Sequence, residues 1–209
     1  MREGLANTAL LSVLTPTLTL LICIAFSWIV LRSRIPGRGV FDAIAFLPHA
    51  VPNIVFGLGA LLLALYVVGA VIPLFGTIWL FFIAFTAHRF PFAFMFMRNS
   101  VKQLSSEMEE AARMSGASWG RTIVDISAPL LKAGILAAWM MVFAVTLREL
   151  SMAILLYVPG TETLPVAIYS FIDNGTFEIA AAVSVLLILM SIAAMLALRW
   201  LTGKAQMEL

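Results

Sequence analysis

A catalytic or metal centre needs several titratable side chains brought together, and this chain offers few. Its 209 residues hold 11 Asp and Glu, 2 His and 1 Cys. The histidines, His49 and His88, fall in two different apolar stretches, and Cys23 stands alone in a third. Cys23 has no cysteine to pair with and reads as a small packing residue. No G-x-x-x-x-G-K-[ST] is present to cradle a nucleotide phosphate, so no catalytic residue and no metal ligand set is assigned. Two charged pairs stand out: His88-Arg89 within "AHRFP" and Arg148-Glu149 within "VTLRELS". Ionisable groups at bilayer depth are expensive and suggest function, which makes these four candidate pathway or gate residues. Each pair also has a structural reading. Pro91 should kink or end its helix, leaving 92–97 at the interface and letting Arg89 snorkel toward headgroups. Arg148 and Glu149 can pair with each other or with neighbouring helices.

The one long polar segment is "EMEEAARMSGASWGRTIVDISAP", Glu107 to Pro129. Ser106-Glu107-Met108-Glu109 fits an S-x-x-E capping box, so a helix should begin near Glu107. Acids in that first turn suit the helix dipole. Gly116 stands where a C-terminal cap is wanted, and "ASWGRTIVDIS" can start a second short helix. Pro129 suits the first turn of the apolar helix that follows. Ala111, Ala112, Gly116 and Ala117 make a low surface that a partner can approach closely. The plainer reading is an amphipathic helix resting on headgroups.

The elements that must position these residues are membrane spans. The chain is 62% hydrophobic and 11% charged with mean hydropathy +1.04, against about 45–50% and about 25% in soluble domains. A net charge of +2 gives no reason to expect nucleic acid. Five stretches reach the roughly 20 apolar residues a span requires: 8–31, 44–69, 74–97, 130–147 and 177–201. The first is too long for a signal-peptide core, so no cleavable signal is expected. Pro48 and Pro52 fall in the first turns of the second, where proline is tolerated. Residues 150–172 are apolar but broken by Pro159-Gly160 and Pro165, as a re-entrant segment or an outer loop with a short helix would be. Gly57, Gly59 and Ala60 suit close helix contact. The aromatics Trp79, Phe81, Phe82 and Phe85 suit lipid or core. Ten basic residues (Arg32, Arg34, Arg38, Arg98, Lys102, Arg113, Arg121, Lys132, Arg199, Lys204) lie on one side and only Arg2 and Arg148 on the other. The ten-residue side is cytoplasmic. The expected fold is therefore an all-α five-span bundle, N-terminus out and C-terminus in, with a cytoplasmic loop over 98–129.

Glu110-Ala111-Ala112, three residues, Gly116, nine residues, Ile126-x-x-Pro129 resembles the E-A-A-x3-G-x9-I-x-L-P motif of the permease subunits of binding-protein-dependent ABC importers. Ala128 replaces the family's usual Leu. "AIAFLPHAVPNIVFGLGALLL" resembles the second core helix of such permeases. "LRELSMAILLYVPGTETLPVAIYSFIDNG" is most similar to ferric-iron-type permeases and their polyamine, thiamine and phosphonate relatives. The resemblance implies one methionine-importer-like transmembrane domain over 1–209, a single-core subunit or the C-terminal half of a two-core chain, in a bacterial inner membrane. It implies a coupling loop (Glu110, Ala111, Ala112, Gly116, Ile126, Pro129) that docks on a cytoplasmic ABC ATPase dimer. ATP and Mg²⁺ would sit on that partner, leaving this chain without cofactor or enzymatic activity of its own. A second permease core and a periplasmic or lipid-anchored binding protein complete the expected assembly. Arg148-Glu149 would have docking of that binding protein as a further role. Ferric iron is the implied cargo, with polyamine, thiamine, phosphonate or another small solute as alternatives. An ATPase-independent channel or secondary transporter would instead call for paired intramembrane acids or inverted half-repeats.

Overall fold

A computed structural model describes residues 1–32 and 36–206. Arg34 of the first basic loop lies outside the described residues, as do the side chains of Ser106, Glu109, Arg113, Arg199 and Lys204. The described residues are helical with no strand. Four helices are long and apolar enough to cross a membrane, five when the bent helix pair is counted as one span.

The first span is α1, Arg2–Arg32, of 31 residues. The second is the bent pair. It comprises α2 (Arg38–Ile44), a 3₁₀ turn (Leu47–Ala50), and α3 (Asn53–Leu62) continued as a π-helix through Leu63–Val68. The third is α4, Ile78–Gln103. On the cytoplasmic side follow α5 (Ser106–Met114) and α6 (Trp119–Thr122). A π-helical turn (Ile123–Ser127) then joins α6 to α7, Ala128–Leu147, the fourth span. Two short helices, α8 (Ala153–Leu156) and α9 (Leu164–Asp173), precede the fifth span, α10 (Phe177–Gln206).

Two expectations about proline need correction. The second span is not one helix with prolines in its first turns: its two halves meet at a 99° bend between Ala50 and Asn53. Pro52 there has no N–H and holds φ −55°, ψ 142°, so Val51 and Pro52 are extended and the helix restarts at Asn53. Pro91, by contrast, does not end the third span, and α4 continues twelve residues beyond it to Gln103. Pro91, Arg89, Ala93 and Phe94 are buried between helices, and tertiary contacts there outweigh one missing hydrogen bond.

Helix α4 is the centre of the bundle, touching α1, α7, the 3₁₀ turn and α3. Phe81, Phe85, Phe94 and Met97 along it are fully buried, whereas Trp79 faces outward. Phe26, Phe90 and Phe94 meet edge-on or stacked with ring centroids 5.2–5.8 Å apart. Small residues let the helices close: a Cβ on Gly134 of α7 would stand 2.8 Å from Ser100 Cβ of α4, and nearer still to its Oγ. At the cytoplasmic ends, Arg32 donates to the carbonyl of Leu104 at 2.7 Å, and Arg98 pairs with Asp42 at 2.6 Å.

Residues 150–172 pack one side against the outer half of the bundle and leave Tyr157, Tyr169 and Ile172 exposed. Met152, Ala153, Leu156, Leu164 and Val166 are all at most 1% exposed, and several share one core with Leu11, Phe81 and Phe85. Asn7 Nδ2 donates to the carbonyls of Gly160 (3.2 Å) and Glu162 (2.9 Å), and Leu164 N donates to Thr8 Oγ1 (2.8 Å). The first helix thus holds this excursion by its backbone.

Candidate functional site: a cytoplasmic docking turn and a buried polar node

Two sites emerge, one exposed and one buried. The exposed one is the turn between α5 and α6. Ser105 Oγ accepts from Glu107 N at 3.2 Å at the start of α5, and the expected box of Ser106 and Glu109 lies outside the described side chains. At the other end, Gly116 takes φ +86°, the left-handed conformation that glycine adopts without penalty. Ala117 N donates to Ala112 O at 3.0 Å, which closes the Schellman turn expected of a glycine in that place. Ser118 then caps α6 through Arg121 N at 3.4 Å.

Glu110, Ala111, Gly116 and Pro129 are exposed, and Ala112 and Ile126 are half-buried. No atom lies within 4 Å of where a Gly116 Cβ would stand. Met114, 90% exposed, and Met108 add apolar area to the same short helix. The helix keeps the amphipathic character expected of it and ends in a glycine turn that stands open. The second short helix of the expected loop is no separate element. From Gly120 to Leu147 the chain is helical without interruption over 28 residues, so α6 is the cytoplasmic end of the fourth span.

The buried site gathers three of the four candidate pathway residues. Arg89, 7% exposed near the middle of α4, forms an ion pair with Glu149, 5% exposed just beyond α7. Glu149 Oε2 also accepts from Asn53 Nδ2 at 2.9 Å, and its Oε1 accepts from Met152 N at 3.1 Å. His88 Nε2 lies 3.2 Å from Val51 O, placed to donate to the carbonyl that the Val51-Pro52 break frees. The ring of Phe56 covers it edge-on at 4.9 Å. Arg89 therefore does not snorkel: a carboxylate within reach stabilises its charge where headgroups would otherwise be needed. Nor do Arg148 and Glu149 pair with each other. Arg148 is exposed and donates to Ala144 O at 3.1 Å, because neighbours just after a helix end point to different sides.

Asn53 was missed from sequence. Its only signal is a polar residue directly after a proline inside an apolar span. Gly57 serves helix contact, since a Cβ there would stand 3.0 Å from Met152 Cα. Gly59 and Ala60 instead line an apolar groove of about 380 Å³ between α3 and α4. His49 is exposed and apart from His88, and among the described residues no three His, Cys, Asp or Glu side chains are placed to hold a metal ion.

Apolar spans packed around the central α4, with an exposed glycine turn between α5 and α6, define an all-helical membrane protein. The chain belongs to the family described as binding-protein-dependent transport system inner membrane component, whose profile matches residues 22–206. It is accordingly an inner-membrane permease of that family.

Among its relatives is a 2-aminoethylphosphonate transport system permease protein of Salmonella choleraesuis, so described as putative, 28% identical over 97% of this chain and 78% of its own. A molybdate/tungstate transport system permease protein of Pyrococcus abyssi is 27% identical over 98% and 79%. An Fe(3+)-transport system permease protein of Haemophilus influenzae is 25% identical over 90% of this chain and 37% of its own. In fold the chain is similar to a chain of a bacterial alginate ABC transporter crystallised with its periplasmic protein (TM-score 0.82, 16% identity, 97% and 78% covered). It is also similar to a chain of the inward-facing MetNI methionine ABC transporter (TM-score 0.75, 17% identity, 97% and 93% covered). The expected methionine-importer-like fold is therefore the observed one.

Proposed function

We propose that this chain is the permease subunit of an ATP-driven ABC importer and forms, with a second permease core, the pathway for a solute delivered by a binding protein. The observation that carries the proposal is the α5–Gly116–α6 turn. It is exposed, built on a left-handed glycine, and continuous with a membrane-spanning helix. A cytoplasmic ATPase dimer docked on Glu110, Ala111, Ala112 and Gly116 can therefore push directly on the fourth span, with Ile126 and Pro129 at the joint between loop and bilayer. ATP and Mg²⁺ belong to that partner, and this chain moves solute without making or breaking a covalent bond.

For cargo, relatives named for phosphonate and for molybdate/tungstate match 97–98% of this chain, which supports a small oxyanion. Ferric iron, supported by the Fe(3+) permease relative, is the second reading. The assembly is tested by purifying the tagged chain from cells that also express the neighbouring ATPase and binding-protein genes. Glu110→Lys and Gly116→Arg are each expected to lose the co-purified ATPase and ATP-driven uptake. Full retention of both by both variants overturns the docking reading. Uptake assays with labelled phosphonate, molybdate and ferric iron then separate the two cargoes.

A further inference from the structure

Glu149 does more than neutralise Arg89. Its carboxylate joins three elements at once: α4 through Arg89, the start of α3 through Asn53, and the turn into α8 through Met152 N. It sits two residues beyond the end of α7, and α7 is continuous with the cytoplasmic docking turn from Gly120 onward. One rod of helix therefore has the ATPase-facing turn at one end and this carboxylate at the other. At about 1.5 Å per residue those 28 residues span roughly 40 Å.

The neighbouring residue completes the arrangement. Arg89 and His88 are adjacent on α4, and between them they hold both sides of the break in the second span. His88 meets the carbonyl of Val51, just before Pro52. Arg89 meets the carboxylate that also takes Asn53, just after it. Separating Arg89 from Glu149 would strand two charges in an apolar interior, so the contact is costly to open in any state of the transport cycle. Gly57 lying against Met152 tightens the same junction. Bending is easier elsewhere, at Val51-Pro52 and in the π-helical turn Leu63–Val68.

We propose that Glu149 is a coupling joint: a positioning residue through which movement of the docking turn, carried by α7, is passed to α4 and to the break in the second span. The joint moves as one body and does not open. This rests on the importer reading above, and its test is separable from it, because every measurement is made on a transporter that already contains the bound ATPase.

Two experiments on the assembled transporter in proteoliposomes test it. Glu149→Gln keeps the size of the side chain but removes the charge that pairs with Arg89 and turns one of its two acceptor oxygens into a donor. The variant is expected to retain the co-purified ATPase and to transport about tenfold less solute per ATP hydrolysed, within the roughly 5–150-fold range of coupling between sites. A merely structural role would lower the amount of assembled transporter and leave solute moved per ATP unchanged, which overturns the proposal. The second experiment does not depend on how that variant folds. A Gly57→Cys, Met152→Cys pair in a Cys23→Ser background is cross-linked by oxidation, and each sample is compared with its own reduced form. A joint that moves as one body transports equally in both forms. Uptake that stops on oxidation and returns on reduction shows that the contact must open, and overturns the proposal.

Discussion

Gly134→Ala is expected to force α7 away from α4, and the displacement follows from the geometry. A methyl at 134 would stand 2.8 Å from Ser100 Cβ, whereas ordinary contact begins at 3.4 Å. No rotation about the Ser100 side chain moves its Cβ, so the helices must separate by about 0.6 Å along that line. Overpacking of this kind costs about 1–3 kcal/mol. Alanine opposes it with a helix propensity better than glycine's by about 1 kcal/mol.

A double-mutant cycle cancels the propensity term. In a Ser100→Gly background the Cβ and Oγ that a methyl would strike are gone, so Gly134→Ala should there be neutral or stabilising. The difference between the two backgrounds should be about 1–3 kcal/mol, read by SDS-titrated unfolding in mixed micelles with helicity as the signal. A difference below about 0.5 kcal/mol, the usual limit of additivity for independent sites, would show that the two helices do not approach so closely.

Three further outcomes are expected. Asn7→Ala removes hydrogen bonds to the carbonyls of Gly160 and Glu162, each worth about 0.5–1.5 kcal/mol; amide exchange across 158–164 should quicken while the centre of α4 is unchanged. Asp42→Asn breaks the Arg98 pair, whose side chains are 28% and 24% exposed, and should cost less than about 1 kcal/mol in the same unfolding titration. Cys23 is fully buried, so maleimide should leave it unlabelled in native membranes and label it only after denaturation.

What could be read before the structure was known depended on the range of the interaction. The docking turn is local. Its serine cap, its glycine and its proline act within four residues of themselves, so spacing alone predicts two short helices around Gly116. The spans were legible because hydropathy sums over a window. That same sum is blind to direction, so the 99° bend at Val51-Pro52 was hidden inside one apolar stretch. Arg89 and Glu149 are sixty residues apart. No periodicity links them, and the sequence neighbour Arg148 offered a nearer partner that the end of α7 turns away. Pro91 shows the same limit in reverse, because a rule about isolated helices gave way to burial among other helices.

The central claim is that an ATPase acting from the cytoplasm drives solute through this chain. Uptake of a labelled solute into proteoliposomes tests it most directly, with the chain, its ATPase and its binding protein present and ATP either enclosed or omitted. Uptake should require the ATPase, ATP and the binding protein together, and should disappear when Gly116→Arg replaces the native chain. Solute flux that runs down its own gradient with no ATPase present would contradict the claim and identify a channel or secondary transporter instead.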